Sequence, residues 1–143
     1  MRNKLNELIA AFNRGSLDVP DGFLTHHTSY TLNGRSYESL LGGSPDDPLI
    51  RLLARGPAGY RTAAKALMYA LQGPTATCEL ISEADETGIS MAAIRLAGHL
   101  RPGSVEFVAR FQLGVTVEND RVRSIDVTGA EEDLARVVSA RQS

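Results

Sequence analysis

The chain has no tryptophan, a single cysteine and only three histidines among its 143 residues. With Cys78 alone no intrachain disulfide can form, and the thiol usage fits a reducing, cytoplasmic compartment. There is no excess of either charge: 15 basic against 17 acidic residues leave a formal charge of -2, without the basic footprint that nucleic acid requires. No apolar run reaches the roughly 20 residues of a membrane span. The polar start Met1-Arg2-Asn3-Lys4-Leu5-Asn6-Glu7 breaks a signal-peptide pattern. A phosphate-binding Gly-rich loop, a His-Glu-x-x-His zinc motif and a Gly-x-Ser-x-Gly elbow are all missing, so nucleotide, zinc and serine-hydrolase chemistries lose their main support. Nothing in the pattern calls for a metal or a cofactor.

What remains is a good core. A chain of this length buries about 68–70% of its extended surface and can fold as one domain over residues 1–143 without staples. The strongest pattern runs from Gly88 to Thr128 and predicts three long antiparallel strands: Ile89 to Leu100, Val105 to Val117 and Arg121 to Thr128. Arg101-Pro102-Gly103-Ser104 and Glu118-Asn119-Asp120 supply the turns between them. In the middle strand Val105, Phe107, Ala109, Phe111, Leu113, Val115 and Val117 occupy one face, while Glu106, Arg110, Gln112 and Thr116 stand on the other.

Before this meander, Leu5, Leu8, Ile9 and Phe12 share one helical face, and Gly15 is placed to cap the helix end. Phe23 to Leu32 reads as a strand stopped by a tight Asn33-Gly34 turn. Arg35 to Gly56 is rich in Gly and Pro, and is either a lid or an ordinary surface connection; Asp47-Pro48 begins a short helix within it. Pro57 opens a further helix with Tyr60, Ala64, Leu67, Met68 and Leu71 on one face, closed by Gly73-Pro74. Thr77 to Glu83 is a strand, Asp85-Glu86-Thr87-Gly88 a turn, and a closing helix follows Gly129, with Glu131, Glu132 and Asp133 early and Arg136 and Arg141 late. One-sided helices beside long antiparallel strands imply an α+β layer arrangement whose twisted sheet wraps a pocket.

Three stretches in this order resemble the nuclear transport factor 2-like superfamily, which includes SnoaL-like polyketide cyclases and ketosteroid isomerase-like proteins. They are Ala10-Ala11-Phe12-Asn13-Arg14-Gly15-Ser16-Leu17-Asp18 at the end of the first helix, Gly56-Pro57-Ala58-Gly59-Tyr60-Arg61 at the start of the later one, and Val115-Thr116-Val117-Glu118-Asn119-Asp120-Arg121-Val122 across the last hairpin. The resemblance implies a cone-shaped barrel, a strongly curved antiparallel sheet wrapped around N-terminal helices. It also implies a homodimer paired through the outer sheet face and a small apolar ligand. The isomerase branch's helix Tyr, proton-shuttling Asp and hairpin acid fall on Leu8, Leu32 and Leu113, and leucine neither donates a hydrogen bond nor exchanges a proton. The cyclase branch commonly keeps an acid at the position of Leu113 too; an alignment slip of one residue would put Gln112 there.

Three residues remain for acid–base work, each with a plainer reading. His99 falls where the cyclases carry a His; it is otherwise a half-exposed residue at a strand end. His27 and His26 are adjacent, so in a regular strand only one faces a pocket, and a partly buried, hydrogen-bonded His is the alternative. Asp126 is either solvated opposite a core formed by Ile125 and Val127, or a pocket carboxylate within reach of Arg95 or Arg110. Tyr30, Tyr60, Arg95, Arg110, Gln112 and Leu113 are the candidates for substrate contact, the arginines being otherwise solvated and Tyr60, like Tyr69, otherwise core. Two functions follow: a cofactor-free SnoaL-like enzyme that promotes cyclisation, isomerisation or dehydration of a small polyketide-like intermediate of bacterial secondary metabolism, or a non-catalytic module that binds an apolar ligand or protein partner. A cavity lined by His99, His27 or Asp126 would favour the first, and a core filled by Leu8, Leu32 and Leu113 the second.

Overall fold

The structure is a computed structural model that describes residues 2–40, 42, 47–82, 88–101, 103–119 and 121–134. Its elements are α1 (Arg2–Asn13), β1 (Leu24–Leu32), β2 (Arg35–Ser36), α2 (Tyr37–Leu40), α3 (Pro48–Ala54), α4 (Gly56–Ala70), β3 (Leu71–Ser82), β4 (Ile89–Leu100), β5 (Val105–Glu118) and β6 (Arg121–Thr128). Six strands form one curled, unclosed sheet in the order β2-β1-β6-β5-β4-β3, which gives the expected α+β class and cone-like wrap. Among the described residues no helix is long and apolar enough to cross a membrane.

The spacing in α1 does what it predicts: Leu5, Leu8 and Phe12, joined by Ala11, are buried in one stripe. Gly15 at φ 77 ends the helix, with its N–H on the Phe12 carbonyl at 2.9 Å and the Ser16 N–H on the Ala11 carbonyl at 2.9 Å. The last residue of the helix then ties it to the sheet. Asn13 Nδ2 donates to the Ala76 carbonyl at 2.9 Å and Oδ1 accepts from the Ala76 N–H at 2.7 Å, so one side chain replaces a neighbouring strand. At the first hairpin Asn33 and Gly34 both have positive φ, the geometry that a two-residue turn demands. Asp47 caps α3 by accepting from the Leu49 N–H at 2.9 Å.

The structure departs from the sequence reading in four places. β1 runs parallel to β6, so the sheet is mixed rather than wholly antiparallel; this pairing joins distant segments and has no local signature. Gly73-Pro74 does not close α4, because Leu71 is already extended and starts β3; the pair sits instead at a register shift between Gln72 and Thr75. β1 also shifts register between Leu24 and Ser29, which interrupts strict alternation: His26 and His27 are both exposed while Thr28 is buried, donating to the Val122 carbonyl at 2.6 Å. Finally, Phe111 and Leu113 lie in the apolar row of β5 but are only half-buried, unlike Phe107, Ala109 and Val115. The expected turn at Asp85 to Gly88, apart from Gly88, lies outside the described residues, as do Pro102, Asp120, the Gly43 to Asp46 stretch of the proposed lid, and Arg136 and Arg141. Of the closing helix one turn over 131–134 is described, with Leu134 buried.

The core has two parts. Phe12, Leu71, Leu96 and Phe107 anchor one, and Leu5, Leu8, Phe23, Val115 and Val122 the other. Tyr60, Cys78 and Leu113 touch both. The start of α4 is pressed so closely against the end of α3 and against β1 that a Cβ on Gly59 would meet the Ala54 carbonyl oxygen at 2.6 Å and a Tyr30 ring carbon at 2.9 Å. Gly59→Ala should therefore cost about 1–3 kcal/mol by overpacking, measured by urea denaturation; a change within about 0.5 kcal/mol would show that the helix start is free to move.

Candidate functional site

The half-buried Phe111 and Leu113 border a cavity of about 490 Å³ between the inner sheet face and the helices. α1 supplies Leu5, Leu8, Ile9 and Phe12, and α4 supplies Gly59, Tyr60, Ala63, Ala64, Ala66 and Leu67. The facing strands add Tyr30, Leu32, Ile94, Leu96, Ile125 and Val127, and α2 adds Tyr37 and Leu40. No Asp, Glu, His, Lys or Arg is among these lining residues; three tyrosines are the only polar ones.

α4 faces the cavity with alanines at 63, 64 and 66, whose short side chains leave the space between helix and sheet open. α2 closes another part of the wall and is fastened by Arg55 Nε donating to Glu38 Oε1 at 2.8 Å, with Glu38 buried at 3% exposure. The Tyr30 ring meets the Tyr37 ring edge-on, centroids 6.4 Å apart.

The tyrosines differ in what their hydroxyls do. Tyr30 donates to the Gly56 carbonyl at 2.6 Å and so spends its hydrogen bond on the fold. The buried Tyr60 hydroxyl has no hydrogen-bond partner among the described residues. Burial raises the Tyr60 phenol to about 12, and burial, reinforced by Tyr60 and Tyr37, raises that of Tyr30 further. Both are therefore neutral donors at physiological pH. Burial also raises the Cys78 thiol, which keeps it protonated.

The structure places the sequence candidates in two groups. Tyr30, Tyr60 and Leu113 come together around the cavity, with Leu8 and Leu32, the leucines at the positions where the resemblance puts reactive groups. His99, His27 and Asp126 are not brought there. His99 is exposed on the outer sheet face opposite Glu106 and Gln72, because alternation turns Ile94 and Leu96 inward. His27 is exposed at the β1 irregularity. Asp126 lies between the two inward residues Ile125 and Val127, so it points away from the cavity, where it is half-buried and accepts from Thr31 Oγ1 at 2.7 Å. Arg95, Arg110 and Gln112 are exposed in a separate outer depression, and Tyr69 is 65% exposed. Sequence reasoning missed Tyr37, Leu40 and Phe111 as wall residues. Tyr37, an aromatic just past a hairpin, was the one with a usable signal. Among the described residues no group of three or more His, Cys, Asp or Glu could hold a metal ion.

No protein-family model and no curated protein matches the sequence. Solved structures do match the fold. A candidate SnoaL-like polyketide cyclase from Jannaschia sp. CCS1 is similar over 97% of this chain and 91% of its own, with a TM-score of 0.66 at 10% identity. IdmH, a candidate polyketide cyclase from Streptomyces antibioticus, is similar over 95% and 96% with a TM-score of 0.63 at 15% identity. TerC, crystallised with polyporic acid, is similar over 96% and 97% with a TM-score of 0.65 at 11% identity. The chain thus has the nuclear transport factor 2-like fold in the form found among SnoaL-like proteins.

The unpartnered hydroxyl makes an unusual stability prediction. Tyr60→Phe should leave stability unchanged or raise it by up to about 1–3 kcal/mol, since it removes an unsatisfied buried donor, whereas Tyr30→Phe should cost about 1 kcal/mol. Because the folded Tyr60 phenol titrates near 12 and an unfolded one near 10, its contribution is fully present below pH ~10 and lost as pH rises towards ~12. Tyr60→Phe should accordingly blunt the fall in stability between these values in alkaline denaturation; a loss of stability at pH 7 would contradict the unsatisfied hydroxyl.

Proposed function

We propose that the chain binds a small, largely apolar, polyketide-like molecule in the inner cavity and promotes its cyclisation or isomerisation without a cofactor. The observation that carries this reading is the lining itself: about 490 Å³ walled by aliphatic and aromatic side chains, with one unpartnered phenol beside it. Fixing a flexible chain in a folded conformation converts a rare geometry into a persistent one, which lowers the entropic part of a ring-closure barrier. The neutral Tyr60 hydroxyl, itself buried in the cavity wall, supplies a single hydrogen bond to a carbonyl oxygen once ligand binding turns it inward, and Leu8, Leu32 and Leu113 exclude water around it. Proton transfer by the protein is not part of this mechanism, and the catalytic role considered for His99, His27 and Asp126 gives way to confinement. Homodimerisation and a cytoplasmic location complete the reading.

The absence of any titratable group other than tyrosine from the described lining favours one second reading, a non-catalytic apolar-ligand module. Both require the cavity to bind, and turnover separates them. The neutral fluorescent amine N-phenyl-1-naphthylamine should bind saturably, and Ala63→Phe, which projects into the cavity, should abolish the signal with the circular dichroism spectrum unchanged. Tyr60→Phe should slow turnover of a carbonyl-bearing linear substrate about 3- to 10-fold, the value of one hydrogen bond, and His99→Ala and Asp126→Asn should leave it intact. Undiminished probe binding by Ala63→Phe would refute the cavity as the site, and loss of turnover in His99→Ala would restore acid–base chemistry.

A further inference from the structure

The outer face of the sheet carries an arrangement that the inner cavity does not explain. Arg95 on β4 and Arg110 on β5 are direct cross-strand partners and share that face. Like charges placed directly opposite destabilise a strand pair. Neither guanidinium has a carboxylate within 4.0 Å among the described residues. The two arginines border a depression of about 770 Å³ that also takes in Thr77, Gln112 and Thr128. Register explains the grouping: Thr77 lies opposite Arg95, and Thr128 lies opposite Gln112. Ala93, opposite Gln112, adds little bulk to the floor. The depression's one carboxylate, Glu79, stands diagonally from Arg95 and pairs with neither arginine.

We propose that this depression is a binding site for an oxyanion group, a carboxylate or a phosphate, carried by a small molecule. Two forked guanidiniums on neighbouring strands converge on one planar or tetrahedral anion, and the hydroxyl and amide donors beside them complete its shell. The bound anion removes the repulsion that the bare pair carries. The site is independent of the inner cavity, since a layer of backbone separates the two faces, and it stands whether or not that cavity performs chemistry.

Titration of the full 15N-labelled chain at low salt, first with inorganic phosphate and then with sodium acetate, tests the proposal, with ionic strength held by sodium chloride. Saturable shifts of the Arg95, Arg110 and Gln112 amides are expected for at least one anion, and which one saturates identifies the phosphate or the carboxylate class. Arg95→Gln/Arg110→Gln should weaken that binding at least fivefold and raise the melting temperature in anion-free buffer, while Arg121→Gln should do neither. Linear, unsaturated shifts with both anions would overturn the site. So would equal saturation in the double variant. A double variant that only loses self-association in sedimentation, with no saturable anion binding by the wild-type chain, would assign the arginines to a second copy and also overturn it.

Discussion

Everything in this molecule depends on a mismatch between a strongly curled sheet and the short side chains of the helix laid across it. α1 fills its share of the concavity with Leu5, Leu8 and Phe12, but α4 offers the short side chains of Ala63, Ala64 and Ala66 to the same cavity. The space left over is about 490 Å³, several times the roughly 150 Å³ of an engineered apolar void that stays dry and takes up benzene. Because the walls around it are fixed by the Asn13–Ala76 clamp, the Tyr30–Gly56 hydrogen bond and the Arg55–Glu38 pair, they resist collapse into it. A rigid frame around apolar space is what preorganised binding requires.

The single-layer sheet then separates two chemistries. The described residues that line the cavity carry no formal charge, and a phenol is their only kind of polar group. The residues between them, Arg95, His99, Glu106, Arg110 and Asp126, carry the charge to the other face. For His99 or Asp126 to act in the cavity, its side chain would have to cross the sheet, which period-two geometry forbids without a bulge. Shape, exclusion of water and one hydrogen bond are what the proposed function draws on among the described lining residues.

Much of this was legible in the chain. The α1 stripe, the Gly15 cap, the Asn33-Gly34 turn and the three long strands depend on local spacing, and they appear where that spacing puts them. Asp126 was readable up to a choice of face, and the inward Ile125 and Val127 settle it. Other features depend on partners far away in sequence. The parallel β1–β6 pairing, the irregularity that exposes both His26 and His27, and the early start of β3 at Leu71 are set by what the backbone packs against. The cavity was the least legible of all, because a leucine that lines open space and a leucine that fills a core obey the same alternation. Leu113 and Val115 are two residues apart on one face of β5, yet Leu113 is half-buried at the cavity wall and Val115 is fully buried in the core.

Native mass spectrometry of the freshly purified chain, followed by denaturation and identification of what is released, addresses the central claim most directly. The account predicts a neutral or weakly polar small molecule, bound one per chain, retained in the wild-type protein and absent from Ala63→Phe. A wild-type chain that carries nothing, and takes up nothing from a saturating set of small apolar carbonyl compounds, would contradict it.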